Sequence, residues 1–194
     1  KPLGERRHDL SIDSLLPLDA QPARLDDDSE RVLQTLGERL VAARERDAAT
    51  LMLMGVKLMP LPDDPRVRFA GLLPDQERLH ALQAATVVVV PSPYESLSLL
   101  ALEAMTVGTP VLVNARAEVL VDHCRRSNAG LFYADRWEFV EGLKLLLKDP
   151  ALRRTMGENG RAYVDANYRW DVIISKYERM FTRLRGGSGA ASAT

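Results

Sequence analysis

Five short apolar runs, each bounded by Gly, Pro or Asn, constrain the folding of this chain more than any other feature. They are "TLMLMG" (Thr50–Gly55), "VRFAG" (Val67–Gly71), "TVVVV" (Thr86–Val90), "PVLVN" (Pro110–Asn114) and "GLFYA" (Gly130–Ala134). Runs of this length and composition read as strands. Several carry apolar side chains at consecutive positions, so both faces of the strand must be covered, as in a parallel sheet flanked by helices. The intervening segments have helical periodicity: about Ser29–Arg46, Asp75–Ala84, Leu97–Val107 with Gly108 as its C-terminal stop, Glu118–Arg126, Arg136–Lys148, Pro150–Asn167 and Trp170–Arg185. Strand alternating with helix predicts an α/β class with a doubly wound parallel sheet. Such sheets bind ligands beyond the carboxyl ends of their strands.

At 194 residues the chain has room for one good-sized α/β domain and not two. That domain is expected over 28–185, after a polar, proline-broken segment at 1–27 and before a flexible tail at 186–194 ("GSGAASAT" and the Gly before it). The net charge of −1 gives no basic excess to suggest nucleic acid. No apolar run reaches the roughly 18 residues of a membrane span, and the N-terminal residues lack the apolar core of a signal peptide. A single cysteine, Cys124, cannot close an internal disulfide. These features favour a reducing, cytoplasmic setting, with a peripheral place at the inner membrane face left open.

The stretch "PSPYESLSLLALEAM" (Pro91–Met105) follows the "TVVVV" strand and places Glu95 and Glu103 eight positions apart. With Glu95 on the entering turn and Glu103 inside the helix, the acids reach different parts of one extended ligand. Backbone N–H groups around Leu97, Ser98 and Leu99 lie at the positive end of that helix, which suits a phosphate. Two hydroxyl acceptors flanking an anion cradle match a nucleotide sugar. Spacing alone also allows a plainer reading, in which Glu95 complements the helix dipole and Glu103 is solvated.

"PSPYESLSLLALEAMTVGTPVL" resembles the signature of the nucleotide-sugar-binding domain of retaining, GT-B-type glycosyltransferases of the family-four kind (glycosyl transferases group 1). The resemblance runs from about Thr50 to Phe181 and includes "VRFAGLLPDQERLHALQAATVVVVPS" and "LLLKDPALRRTMGENGRAYV". It implies that the domain is Rossmann-like and is the C-terminal half of a GT-B fold. It also implies that Glu95 contacts the transferred sugar, the catalytic position, and that Glu103 holds the ribose hydroxyls. Ser96, Leu97, Ser98 and Leu99 would supply donors to sugar and phosphate, and the loop Gly71, Leu72, Leu73 would face the nucleobase. The donor would be a nucleoside-diphosphate sugar, with no further cofactor and no metal. The partner would be an N-terminal Rossmann-like half carrying the acceptor site.

Two departures from the family pattern stand out. Ser96 and Ser98 flank Leu97 where many members have glycines; a serine there is a good N-cap residue and a further phosphate donor. The opening strand with its Gly-Arg and Lys-Gly is not found; "LGERR" (Leu3–Arg7) lacks both the strand and the Lys-Gly, and Lys57 is a surface lysine by default. His80 and His123 are isolated, and Cys124, Arg125 and Arg126 lie in a polar segment, so structural or solvated roles are expected for all five. Glu118 matches an element near the donor. The expected function is the donor-binding half of a retaining glycosyltransferase that transfers a hexose, inactive without its other half. The rivals are a non-catalytic nucleotide-sugar-binding relative and a GT-B-type nucleotide-sugar epimerase.

Overall fold

A computed structural model describes residues 49–57 and 59–187. The irregular segment at 1–27, the helix expected at Ser29–Arg46 and residues 188–194 of the tail lie outside the described residues. Strands β1 (Leu51–Met54) and β2 (Val67–Gly71) pair in parallel, with Leu51 opposite Val67 and Leu53 opposite Phe69. Helix α1 (Asp75–Ala84) leads to β3 (Val88–Val90), α2 (Leu99–Val107) to β4 (Val111–Asn114), and α3 (Glu118–Ser127) to β5 (Gly130–Tyr133). Three helices close the chain: α4 (Arg136–Lys148), α5 (Pro150–Asn167) and α6 (Trp170–Gly187). The last of these continues two residues past the expected end of the domain.

Strands β3, β4 and β5 form one parallel sheet in that order. Its alternating side chains divide into two cores. Val88, Val90, Val111 and Val113 pack with Ala101, Met105, Leu120 and Tyr163 on one face. Leu112, with Val87 and Val89 beside it, packs with Phe139, Leu146 and Met156 on the other. The strand at the centre, β4, is buried along its whole length, as the apolar pattern of "VLVN" requires of a doubly covered strand.

One expectation is modified. The described strands form two parallel sheets, β1–β2 and β3–β4–β5, and not one. In the common doubly wound order 3-2-1-4-5-6 the first strand of the domain separates these two groups. The described residues contain no such strand. Side chains still bridge the groups, since Met54 joins the first core and Leu51 the second.

Helix ends are tied by side chains. Asp135 caps α4 by accepting from the Trp137 and Glu138 amides, and Asp149 caps α5, where Pro150 occupies the first turn. Arg153 donates to the terminal carbonyls of Leu146 and Leu147, and Arg161 to that of Val107 at 2.7 Å. Helix α5 approaches α2 through glycines: a Cβ on Gly157 would collide with the Gly108 carbonyl oxygen.

Candidate functional site

The loop between β3 and α2, residues 91–98, lies at the carboxyl end of the parallel sheet. Asn114, buried at the corresponding end of β4, anchors it. Its Nδ2 donates to the Pro91 carbonyl at 2.9 Å, and its Oδ1 accepts from the Arg116 amide at 3.0 Å. Arg116 reaches back over the loop, with its guanidinium 3.2 Å from the Tyr94 hydroxyl and 5.7 Å from the centre of the Tyr94 ring.

Glu95 follows Tyr94 and is half-buried. Among the described residues, none holds its carboxylate by a hydrogen bond or ion pair. Ser96 and Leu97 are exposed, and Ser98 is buried. Helix α2 begins at Leu99 and not at Leu97, so Leu97 and Ser98 precede it and Glu103 is a little over one turn inside. Ser98 occupies the N-cap position but does not cap in the expected way. It sits in the left-handed region at φ 59°, its side chain accepts no cap hydrogen bond, and its buried Oγ has no partner among the described residues. A glycine adopts such a backbone without strain; the serine here keeps the conformation and adds a hydroxyl enclosed at the helix N-terminus.

Glu103 is not free. Arg78 of α1 grips it side-on, with Nε 3.0 Å from one carboxylate oxygen and a terminal nitrogen 2.9 Å from the other. The other terminal nitrogen of Arg78 bonds Asp75 at 2.9 Å. The hydrogen bond to Glu103, foremost, raises the Arg78 pKa above its ordinary value. Helix α1 starts just after the Gly71–Leu73 loop, where Gly71 has φ 72° and Leu72 is strongly exposed. The structure therefore joins, through Arg78, two regions that are 25 residues apart in sequence.

His123 is a further residue whose place the sequence did not reveal. It is buried on α3, and its Nε2 lies 3.0 Å from the Leu97 carbonyl oxygen. A carbonyl only accepts, so Nε2 carries the hydrogen. In the neutral ring Nδ1 then accepts from the Tyr163 hydroxyl at 3.0 Å. The Tyr163 hydroxyl is in turn 3.5 Å from that of Tyr168. The chain Tyr168–Tyr163–His123 thus braces the residue two positions after Glu95. No local pattern could show this, because Leu97 and Tyr163 are 26 and 40 residues from His123.

His80, Lys57 and Glu118 are exposed. Arg125 stacks over Phe132, and Arg126 pairs with Asp122 at 3.2 Å and lies over Tyr163. Cys124 is buried, and desolvation pushes its thiol up to about 12, so it is unreactive at neutral pH. Among the described residues, no group of three or more His, Cys, Asp or Glu could hold a metal ion, and no helix is long and apolar enough to cross a membrane.

A parallel α/β domain with a structured loop beyond the carboxyl ends of its buried strands is of the class that binds ligands at that edge. The glycosyl transferases group 1 model matches residues 64–163, just over half of the chain, and the chain belongs to that family. Its relatives and structural neighbours are GT-B glycosyltransferases. A D-inositol 3-phosphate glycosyltransferase from Corynebacterium diphtheriae is 34% identical over 60% of this chain and 27% of its own length. An MMP alpha-(1->4)-mannosyltransferase from Mycolicibacterium hassiacum is 34% identical over 58% of this chain and 29% of its own length. Among solved structures, sucrose-phosphate synthase from Thermosynechococcus elongatus superposes with a TM-score of 0.62 at 27% identity, covering 82% of this chain and 44% of that one. Anabaena HepE, solved in complex with UDP, shares the fold with a TM-score of 0.64 at 15% identity, over 80% of this chain and 45% of that one. The match thus spans under a third of the curated relatives' length and under half of these solved chains.

Proposed function

We propose that this chain is the donor-binding half of a retaining glycosyltransferase that moves a hexose from a nucleoside-diphosphate sugar to an acceptor held by a second, N-terminal Rossmann-like half. The observation that carries this reading is the arrangement around the start of α2. Among the described residues an acid without a partner, Glu95, precedes the helix, a buried serine hydroxyl without a partner lies at its N-cap, and a second acid, Glu103, stands just over one turn inside.

In this reading Glu95 accepts from hydroxyls of the transferred sugar, and Glu103 accepts from the ribose. The amides at the start of α2, together with Ser98 Oγ, take the diphosphate, where the helix dipole favours negative charge. Gly71, Leu72 and Leu73 face the base. His123 holds the Leu97 carbonyl, so the loop bearing Glu95 is positioned before the ligand arrives. Catalysis in such a site is mainly positioning, with electrostatic help to a diphosphate leaving group. No divalent metal is needed, because the helix terminus and the loop donors carry the diphosphate.

The test is calorimetric titration of a nucleoside diphosphate and its hexose conjugate against wild type, Glu95→Ala and Glu103→Ala, in excess chelator and again with magnesium. Glu103→Ala should weaken both ligands by about 1.5–3 kcal/mol, as the loss of a charged hydrogen-bond partner does. Glu95→Ala should remove the advantage of the sugar conjugate alone. Equal and negligible effects on both ligands would refute the assignment. A loss of more than about tenfold, roughly 1.4 kcal/mol, in chelator would refute the metal-free cradle.

A further inference from the structure

We propose that Arg78 is a positioning residue that restricts Glu103 to a single ribose hydroxyl. The inference rests on the reading of Glu103 as the ribose acceptor and goes beyond it. A carboxylate offers four acceptor sites, two on each oxygen. The vicinal hydroxyls of a ribose are matched best by the inner pair, which lie side by side along the open edge of the group. In this protein that edge is filled. The Arg78 fork delivers parallel N–H bonds at 3.0 and 2.9 Å, one to each oxygen, and planar side-on contact of this kind uses the inner sites.

The remaining acceptor sites of Glu103 lie on opposite flanks of the carboxylate and point away from each other. One ribose cannot span both. The flank that faces the ligand accepts one hydroxyl, and the second hydroxyl finds no bond to this acid.

The grip is also well fixed. The third guanidinium nitrogen of Arg78 bonds Asp75 at 2.9 Å, so all three nitrogens are engaged and the plane of the group is set from α1. The acid is set from α2, whose neighbouring residues Ala101, Leu102, Ala104 and Met105 are buried. The two helices also share a core, with Leu82 of α1 and Met105 of α2 in one cluster. A tie at the C-terminal end of α1, from Thr109 Oγ1 to the Leu82 carbonyl at 2.7 Å, fixes it to the turn that follows α2. Arg78 also begins only five residues after Leu73, so the orientation of the ribose acid is coupled to the loop that faces the base.

The experiment uses whichever of UDP, GDP and ADP binds the wild-type chain, together with its 2′-deoxy and 3′-deoxy analogues. Affinities are measured for wild type, Arg78→Lys, Arg78→Met and Glu103→Ala, with thermal melting of each. In wild type one deoxy analogue should bind within twofold of the parent, and the other should lose about tenfold or more, as expected for one lost hydrogen bond to a charged acceptor. Arg78→Met frees the inner edge of Glu103, so both analogues should then be weakened. Arg78→Lys keeps the charge without the fork and should behave like Arg78→Met.

If Arg78 only staples α1 to α2, its variants lower the melting temperature and weaken all three nucleotides alike, leaving the ratios unchanged. That outcome overturns the proposal. Equal weakening of both analogues in wild type also overturns it, while the ribose reading of Glu103 survives if Glu103→Ala abolishes the sensitivity. Ratios untouched by Glu103→Ala, or no binding by any of the three nucleotides, sink that reading and the proposal together.

Discussion

At Ser98 a local penalty and a candidate ligand contact coincide. A non-glycine residue in the left-handed region costs on the order of 1–3 kcal/mol, and a buried hydroxyl without a partner adds to this. Ser98→Gly removes both, against roughly 0.4–1 kcal/mol of extra unfolded-state entropy. The variant should therefore be more stable by about 1 kcal/mol in urea melts while binding nucleoside diphosphate more weakly, by about 0.5–1.5 kcal/mol for one hydrogen bond. A gain in stability with unchanged affinity would show that the hydroxyl is not a phosphate donor. The serine itself was legible in the sequence, as a departure from a Gly-rich pattern, but its conformation was not. A capping serine and a left-handed serine look alike until the helix start is known, and α2 starts at Leu99 and not Leu97. The grip of Arg78 on Glu103 was hidden for a related reason. Arg78 reads as one more charge on a polar helix, and only the packing of α1 beside α2 gives it a partner.

The elements themselves were largely legible. Strand positions followed from apolar runs, and all six described helices begin and end within two residues of their expected bounds, several of them where Pro, Gly or Asp marks the bound chemically. What the pattern could not show was how closely helices approach. Helix α5 carries Gly157 and Gly160 one turn apart, and both face α2 at backbone distance. Within a helix a glycine is ordinarily a liability of about 1 kcal/mol relative to alanine. Here the sign should reverse. Gly157→Ala puts a methyl group against the Gly108 carbonyl, so α5 must move off α2, and overpacking of this kind costs typically 1–3 kcal/mol. Chemical denaturation should show that loss, whereas an alanine at exposed Glu158 should be within about 0.5 kcal/mol of wild type. Gly157→Ala as stable as wild type would mean that the close approach of α5 to α2 is not maintained.

For the molecule as a whole, the reading predicts binding without turnover. Catalysis by positioning needs both reactants held together, and in the proposed function this domain binds the donor alone. Its last helix supports the same view. Trp170, Ile174, Tyr177, Phe181 and Leu184 recur at helical spacing along α6, and each is more than half exposed; a contiguous exposed apolar stripe of this kind is characteristic of a contact surface. In the proposed protein the other half covers it. An assay for nucleoside diphosphate release, run on the purified chain with light scattering to fix its oligomeric state, should find no turnover above the uncatalysed rate. Turnover abolished by Glu95→Ala would overturn this prediction. The division of the strands into two groups bears on how such a domain responds to its ligand. The loop at Gly71–Leu73 leaves one group and the loop bearing Glu95 leaves the other, and among the described residues no ladder of backbone hydrogen bonds runs between them. A nucleotide that touches both loops would act as a tie beam. Its binding free energy would be felt as resistance of β1 and β2 to detaching from the rest, by the linkage that ties any native-state ligand to stability, so that occupancy and local cohesion of the domain become one quantity.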